Sequence, residues 1–198
     1  ILQFPVWEHP YKFDVICRPD LIPKGTQVVN NLQLGRVLTG EQKLKVPIKS
    51  MMCWNTNPVT QSTETEKVIE GLKREDLFLV SAEHFISDTA AFADILLPAS
   101  MGAEQEDMIL SWGHLYLTYN AKCVEAPGEC ISNNEIFRQL AKRLGFEEDN
   151  FKWNDTECLE HYVDWDSPAC EGIDLSSLKK NGYARLNVGT KDNRAPHK

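Results

Sequence analysis

The sequence predicts an α/β fold, a Rossmann-like open and mainly parallel sheet flanked by helices, with irregular N- and C-terminal extensions. Three apolar runs that suit strands lie between residues 48 and 98, and helix signals separate them. Strands and helices that alternate over so short a stretch favour parallel strands joined by right-handed crossovers. Ligands of such sheets bind beyond the carboxyl ends of the strands. The residues that follow each run are therefore the first candidates for a binding site.

The first predicted elements are a strand, a polar loop and a helix. An apolar run over 48–54 predicts the strand, and the polar residues 55–58 end it. Thr63 and Glu66 have the Thr-x-x-Glu spacing of a capping box, and apolar residues at helical spacing follow them. We therefore expect a short helix to begin just after Thr63.

Two further strands complete the predicted sheet. Residues 77–81 form a nearly continuous apolar run, which is typical of strands that are covered on both faces. A short helix is expected over 89–93 and a third strand over 94–98, where Pro98 ends it. The order is then strand, helix, strand, helix, strand.

The residues beyond the sheet predict one amphipathic helix and a polar tail. Apolar residues at helical spacing follow Ser132, and Gly145 ends that segment. This pattern is typical of a helix with one buried face and a glycine at its C-terminal end. The tail from Glu147 is polar, and we expect only a short helix near 155–162 in it.

Length and charge exclude several classes of protein. The chain has 198 residues, 42% hydrophobic residues and a formal net charge of -8, which describes one globular domain or a domain and a half. No apolar run approaches the roughly 18 residues that a membrane-spanning helix needs. The acidic balance also argues against general binding to nucleic acid phosphates. The sequence begins without Met, so we expect it to be a piece of a longer protein.

The cysteines predict neither a metal site nor a disulfide framework. Six cysteines are spread along the chain with no C-x-x-C pair, whereas zinc and iron–sulfur sites use closely spaced ligands. An even number of cysteines permits disulfides, but a chain of this size without a secretory signal favours reduced thiols. We therefore expect a cytoplasmic protein and assign no metal ligand within the chain.

The strand ends carry polar side chains that could hold a nucleotide. The chain has neither the G-x-G-x-x-G nor the Walker pattern, so phosphates would have to be bound by side chains and helix-start amides. Asn57 and its neighbours offer uncharged hydrogen-bonding groups, and the Glu83 carboxylate suits the N1 and N2 hydrogens of guanine. The alternative, that Asn57 only starts a turn and Glu83 is solvated, is left open by these residues.

No catalytic constellation is found in the sequence. The five histidines lack the G-x-S-x-G and H-E-x-x-H contexts in which histidine acts as a base or a ligand. The acidic cluster at Glu104, Glu106 and Asp107 is equally suited to a solvated loop. We therefore assign no catalytic residue.

Particular strings of residues resemble a known family. They are WNTNP at 54–58, LVSAEHFISDTAAFADILLPA at 79–99, EQED at 104–107 and PGECISN at 127–133. These strings are similar to those of the molybdopterin oxidoreductases, the dimethyl sulfoxide reductase superfamily, which includes formate dehydrogenases and nitrate reductases. The resemblance extends over about residues 17–146.

The resemblance implies an internal part of a larger catalytic subunit. In this family two molybdopterin guanine dinucleotides, bis(molybdopterin guanine dinucleotide), chelate a molybdenum or tungsten ion, and Rossmann-like domains each hold one of them. The prolines and glycines of residues 1–45 predict an irregular lead-in. The resemblance adds a cofactor-binding domain at 46–146 and a tail at 147–198 that leads to a further domain. An iron–sulfur cluster and electron-transfer subunits would lie outside the chain, and neither nucleic acid nor a membrane span is expected.

Four candidate binding residues follow from the resemblance at the ends of the first two strands. Asn57 of the Asn-Pro loop should hydrogen-bond the dinucleotide. Ser81 and Ala82 stand where the family often has Ser-Asp. Since Ala82 departs from that pattern, Glu83 is expected to supply the missing carboxylate.

Two further candidates lie later in the chain. Gln105 stands where some members have Lys, so a cationic phosphate contact would become a neutral one. Asn133 stands where others have Asp and is expected to cap its helix and to contact the cofactor. A rival interpretation is a non-catalytic scaffold without molybdenum, in which Ala82 and Gln105 mark a decayed site, and another is a stand-alone nucleotide-binding module.

Overall fold

The part of the chain that the structure describes contains both helices and strands. The computed structural model describes residues 10–110 and 114–188. Within these residues the helices are α1 (Phe13–Cys17), α2 (Leu34–Leu38), α3 (Pro58–Gln61), α4 (Thr65–Leu72), α5 (Asn133–Leu144), α6 (Asp155–Tyr162) and α7 (Leu175–Asn181). The strands are β1 (Ser50–Trp54), β2 (Phe78–Glu83), β3 (Ile95–Pro98), β4 (Asp107–Leu110), β5 (Tyr116–Asn120) and β6 (Tyr183–Arg185). No helix of the described residues is long and apolar enough to cross a bilayer.

The chain forms two units, each with its own sheet and core. The parallel unit contains residues 22–100 and 127–133. The antiparallel unit contains the described residues before 22, those between 101 and 126, and those from 134 onward. The predicted boundaries at 46 and 146 do not coincide with these, because residues 22–45 belong to the parallel unit and residues 101–126 and 134–146 to the antiparallel unit.

The parallel unit confirms the predicted sheet. Its strands lie in the order β1-β2-β3 and all run parallel. Cys53, Ser81 and Leu96 are neighbours across the three strands. Ala99 then forms a parallel bridge with Ile131, which brings the segment before Asn133 alongside the end of β3.

Helices α2 and α4 cross at a close distance in the parallel unit. A β-carbon at Gly35 would lie 2.9 Å from Lys67 Cβ, and one at Gly71 would overlap the Leu38 side chain. The absence of these two β-carbons lets Leu38 become almost completely buried. The core under these helices consists of Leu38, Cys53, Val59, Val68, Leu72, Leu77 and Leu79.

The predicted capping box before α4 is wrong. The helix begins at Thr65, and its N-cap is Glu64 in the left-handed region with φ 54° and no side-chain cap. Thr63 instead donates its hydroxyl to the Leu32 carbonyl over 2.9 Å. Glu64 accepts hydrogen bonds from Arg36 and Lys67, which lower the pKa of its carboxyl to about 2. A long-range ion pair with Arg36 and a local one with Lys67 therefore form where the capping box was predicted.

The connection between β2 and β3 contains less helix than predicted. Only a 3-10 turn at Ala90–Phe92 forms where a helix over 89–93 is expected. The Leu79 amide donates to the Asp94 carboxylate over 2.7 Å. This bond fastens the end of the connection to the start of β2.

The antiparallel unit contains the tail, which is less irregular than predicted. Strands β4, β5 and β6 pair in that order, and α6 covers the residues expected for the tail helix. Glu106 accepts hydrogen bonds from Tyr119, Thr156 and Lys179. The core of the antiparallel unit consists of Met108, Leu117, Leu159, Val163, Ala169, Cys170, Leu178, Leu186 and Val188.

Candidate functional site

A cleft of about 200 Å³ lies where the parallel strands end. The cleft is lined by the loop after β1 and the last residue of α3, and by the end of β2 with the residue that follows it. The residue after β3 and the first residue of α5 complete the lining. The lining residues are Asn55, Thr56, Asn57, Gln61, Ala82, Glu83, His84, Ala99 and Asn133. The cleft is therefore where a parallel sheet of this kind binds its ligands, and four of the six predicted site residues line it.

The loop after β1 is held in shape by Gln61. The Gln61 side-chain oxygen accepts the Thr56 hydroxyl over 2.9 Å and the Asn57 amide over 2.9 Å. Asn55 takes the left-handed conformation, with φ 54°, which asparagine adopts more easily than most residues. These contacts turn the chain sharply after β1 and place three polar residues on the cleft.

The Asn57 side chain is tied to Thr89 across 32 positions of sequence. Asn57 Oδ1 accepts the Thr89 hydroxyl over 2.6 Å and the Thr89 amide over 3.2 Å. Thr89 itself is completely buried, and its hydroxyl accepts the Val59 amide over 3.0 Å. Thr89 thus joins the loop after β1 to the connection between β2 and β3.

The end of β2 supplies the titratable groups of the cleft. Glu83 accepts the His84 amide at one carboxylate oxygen over 3.3 Å. His84 Nε2 lies 3.0 Å from the Ser100 carbonyl, and because a carbonyl only accepts, this nitrogen carries the hydrogen. Burial, with a further contribution from the Glu83 charge, raises the pKa of the nearby Cys53 thiol to about 11. Cys53 therefore stays a neutral, buried thiol.

Two buried oxygens of the parallel unit have no hydrogen-bond partner among the described residues. They are Ser81 Oγ and Asn133 Oδ1. Asn133 lines the cleft, and it is the first residue of α5, but its oxygen caps nothing, so the capping expectation is wrong. Ser81 is completely buried within β2 and does not belong to the cleft lining. Buried polar atoms of this kind are rare in proteins and call for a partner that the described residues do not supply.

The family can now be identified from the whole stretch that carries the cleft. The model of the molybdopterin oxidoreductase family, described as "Molybdopterin oxidoreductase", matches residues 21–143. The chain belongs to the molybdopterin oxidoreductase family. The match includes all three parallel strands and each residue that lines the cleft.

Relatives in this family include enzymes of several kinds. Probable oxidoreductase YoaE of Bacillus subtilis is 38% identical over 177 residues, which is 88% of this chain and 26% of that protein. Dimethyl sulfoxide reductase DmsA of Escherichia coli is 31% identical over 158 residues, which is 74% of this chain and 19% of that protein. The chain thus spans about a quarter or less of the length of these molybdopterin oxidoreductases.

A solved structure supports the fold. Acetylene hydratase from Pelobacter acetylenicus superimposes with a TM-score of 0.64 and 22% identity, over 83% of this chain and 22% of that one. At this identity the likeness concerns the fold alone.

The structure brings four of the six predicted site residues of this molybdopterin oxidoreductase chain to one cleft and leaves Ser81 and Gln105 outside its lining. Asn57, Ala82, Glu83 and Asn133 line one cleft of the parallel unit. Gln105 belongs to the antiparallel unit, where its carbonyl accepts the Asn120 side-chain amide over 3.0 Å. A cofactor contact of Gln105 therefore stays a prediction.

Three residues that shape the cleft are not among the predicted site residues. Gln61 and His84 line it, and Thr89 orders the loop from below. Thr89 lies within the string that carries the family resemblance, directly before two alanines, and this position was a usable signal. Gln61 has no comparable signal, because its partners are set by the turn after β1.

No metal ligand set is found among the residues that the structure describes. No three His, Cys, Asp or Glu side chains in 10–110 and 114–188 are arranged to hold an ion. The cleft offers four side-chain amides, one hydroxyl, one imidazole and one carboxylate, which suit a nucleotide or a pterin better than a bare cation.

Proposed function

We propose that the cleft binds one molybdopterin guanine dinucleotide, and that the chain is the part of a larger oxidoreductase subunit that holds it. The observation that carries this proposal is Asn133 Oδ1, a buried acceptor at the cleft without a partner in the described chain. An unpaired buried oxygen costs about 1–3 kcal/mol. An N–H or O–H group of a bound nucleotide would remove that cost.

Glu83 is the group we assign to guanine. Within the described residues the Glu83 carboxylate accepts one weak bond, from the His84 amide at 3.3 Å to Oε2. The other oxygen has no hydrogen-bond partner there and is free to accept from guanine. A carboxylate that accepts both N1–H and N2–H of guanine rejects adenine, which lacks that pair of donors. This favours a guanine rather than an adenine dinucleotide.

The phosphates would be held by neutral donors. Asn55, Thr56 and Asn57 line the cleft, and the net charge of the chain is -8, so its overall field repels an anion. The side-chain amides of Asn55 and Asn57 would supply the binding energy instead. When bound, the cofactor would supply two-electron or oxygen-atom transfer at molybdenum or tungsten, while the chain binds and orients it. In the intact enzyme the remaining domains and electron-transfer subunits would complete the site.

The Asn133→Ala variant tests this proposal in the complete protein purified from its host. We expect about tenfold weaker cofactor retention, the loss that one hydrogen bond of ordinary strength produces. Retention is measured as pterin and guanosine monophosphate released per protein, together with molybdenum and tungsten by mass spectrometry. Asn134→Ala is the matched control, because it removes the same side chain at the next, exposed position.

Two results would contradict the proposal. If the wild-type protein contains neither pterin nor guanosine monophosphate, the chain serves as a scaffold without the cofactor. If Asn133→Ala and Asn134→Ala retain equal amounts of cofactor, the cleft is not its binding site.

A further inference from the structure

The donor and the acceptor in each of these hydrogen bonds of Thr89 follow from the chemistry of its partners. The Val59 amide can only donate, so the Thr89 hydroxyl oxygen accepts at 3.0 Å. Its own hydrogen is then free for Asn57, 2.6 Å away. The Thr89 amide is also an obligate donor and points to the same Asn57 atom, at 3.2 Å. Because the Thr89 hydroxyl and the Thr89 amide both donate to this Asn57 atom, the atom must be an acceptor, and it is therefore the side-chain oxygen.

The orientation of the Asn57 amide is therefore decided by chemistry. An asparagine side chain is nearly symmetric in shape, and its oxygen and nitrogen are told apart only by their hydrogen bonds. With the oxygen held by Thr89, the amide nitrogen must face away from Thr89. Asn57 lines the cleft, and its Nδ2 has no partner among the described residues. Both hydrogens of that nitrogen are available to a ligand.

We propose that Thr89 is a positioning residue for cofactor binding, which acts by presenting the two amide hydrogens of Asn57 to the cleft. The inference rests on the proposed function, because an anionic dinucleotide needs donors there and the lining supplies no Lys or Arg. A reversed amide would present an acceptor to a phosphate and repel it. Thr89 touches neither the solvent nor the cleft, so its effect on binding passes through Asn57.

A purely structural role for Thr89 makes a different prediction. In that case the hydrogen bonds only join two loops, and any side chain that preserves the join preserves binding. Asn57→Asp separates the two roles, because a carboxylate still accepts both bonds from Thr89 but has no hydrogens to offer. Thr89→Val tests the converse, because it keeps the shape and removes the hydroxyl, and Thr89→Ser restores the hydroxyl.

The test is made in the complete protein, by melting temperature and by guanosine monophosphate and pterin per protein. We expect Asn57→Asp to keep the wild-type melting temperature and to lose about tenfold or more in cofactor retention, because one donor contact is lost and a repulsive charge is added. Thr89→Val should lower both quantities, and Thr89→Ser should restore retention to near the wild-type level. In an Asn57→Ala background, Thr89→Val should cause no further loss of cofactor.

The outcomes separate this inference from the proposed function. A wild-type protein without the dinucleotide overturns both. A wild-type protein with the dinucleotide, together with an Asn57→Asp variant that retains it, overturns the inference alone. If Thr89→Val does not fold, Asn57→Asp and Thr89→Ser still decide, because both preserve the bonds that Thr89 donates.

Discussion

Ser81 and Asn133 each bury an oxygen without a partner, yet their surroundings differ. Asn133 lines the cleft, so a ligand can complete its hydrogen bonding. Ser81 lies inside β2 between Cys53 and Leu96 and is completely buried. A ligand in the cleft therefore reaches Asn133 more readily than Ser81. The predicted cofactor contact of Ser81 requires a group that penetrates behind the cleft lining.

Ser81→Ala measures the cost of that buried hydroxyl. Removal of a buried polar group that makes no hydrogen bond relieves its desolvation cost, so we expect the free energy of unfolding to stay equal or to rise by up to about 1 kcal/mol. Denaturant titration of the 198-residue chain measures this change. A loss of more than about 1 kcal/mol would show that the hydroxyl has a partner after all. Leu79→Ala, which empties a core position in the same strand, is the control that should destabilise.

At the scale of the elements, the crossing of α2 and α4 depends on two glycines. Gly71 lies inside α4, where glycine is unfavourable by about 0.5–1 kcal/mol relative to alanine. The chain tolerates this because a β-carbon there would overlap Leu38. Leu38 and Val68 are among the most deeply buried side chains of the parallel unit. The close approach of the two helices therefore outweighs the intrinsic helical preference.

Gly71→Ala tests which of the two effects is larger. Overpacking of a well-packed core costs about 1–3 kcal/mol, which exceeds the gain in helix propensity, so the free energy of unfolding should fall. Gly102→Ala is the control, because a β-carbon there meets no atom within 4 Å and the change should stay within about 0.5 kcal/mol. A Gly71→Ala chain more stable than the wild type would show that the two helices can move apart.

At the scale of the whole molecule, the described residues offer a polar cleft for the proposed cofactor but no cluster of side chains arranged as metal ligands. The lining of the cleft is mainly neutral, and no candidate metal cluster is found in 10–110 or 114–188. The chain also spans 26% or less of the relatives with which it was compared. The metal and its ligands are therefore expected in other parts of the complete protein.

The isolated 198-residue chain should accordingly contain no stoichiometric molybdenum or tungsten and no oxidoreductase activity. The physical reason is that a pterin-chelated ion needs ligands from parts of the protein beyond the cleft described here. Mass spectrometry for the two metals in the purified chain and in the complete protein measures the difference. One equivalent of either metal in the isolated chain would contradict this expectation.

The local sequence pattern was sufficient to predict the parallel sheet and the helices α5 and α6. Apolar runs of strand length and residues at helical spacing depend on neighbours in sequence, and these elements form close to their predicted positions. The cleft was also predictable in outline. Once the strands are parallel, their carboxyl ends meet at one edge, and Asn57 and Glu83 must lie near each other.

Long-range contacts decided the rest. The division into two units depends on which segments pair, and β6 joins β5 from a distant part of the chain. Glu64 is the N-cap of α4 in place of the predicted capping box, and its carboxylate pairs with Arg36, which lies beside it in the fold. The Asn57 amide is oriented by Thr89, 32 positions away. Residue types and their spacing thus determined the strands, the helices and the polar character of the cleft, whereas its hydrogen-bond directions required the tertiary structure, because they depend on which distant donors meet the same atom.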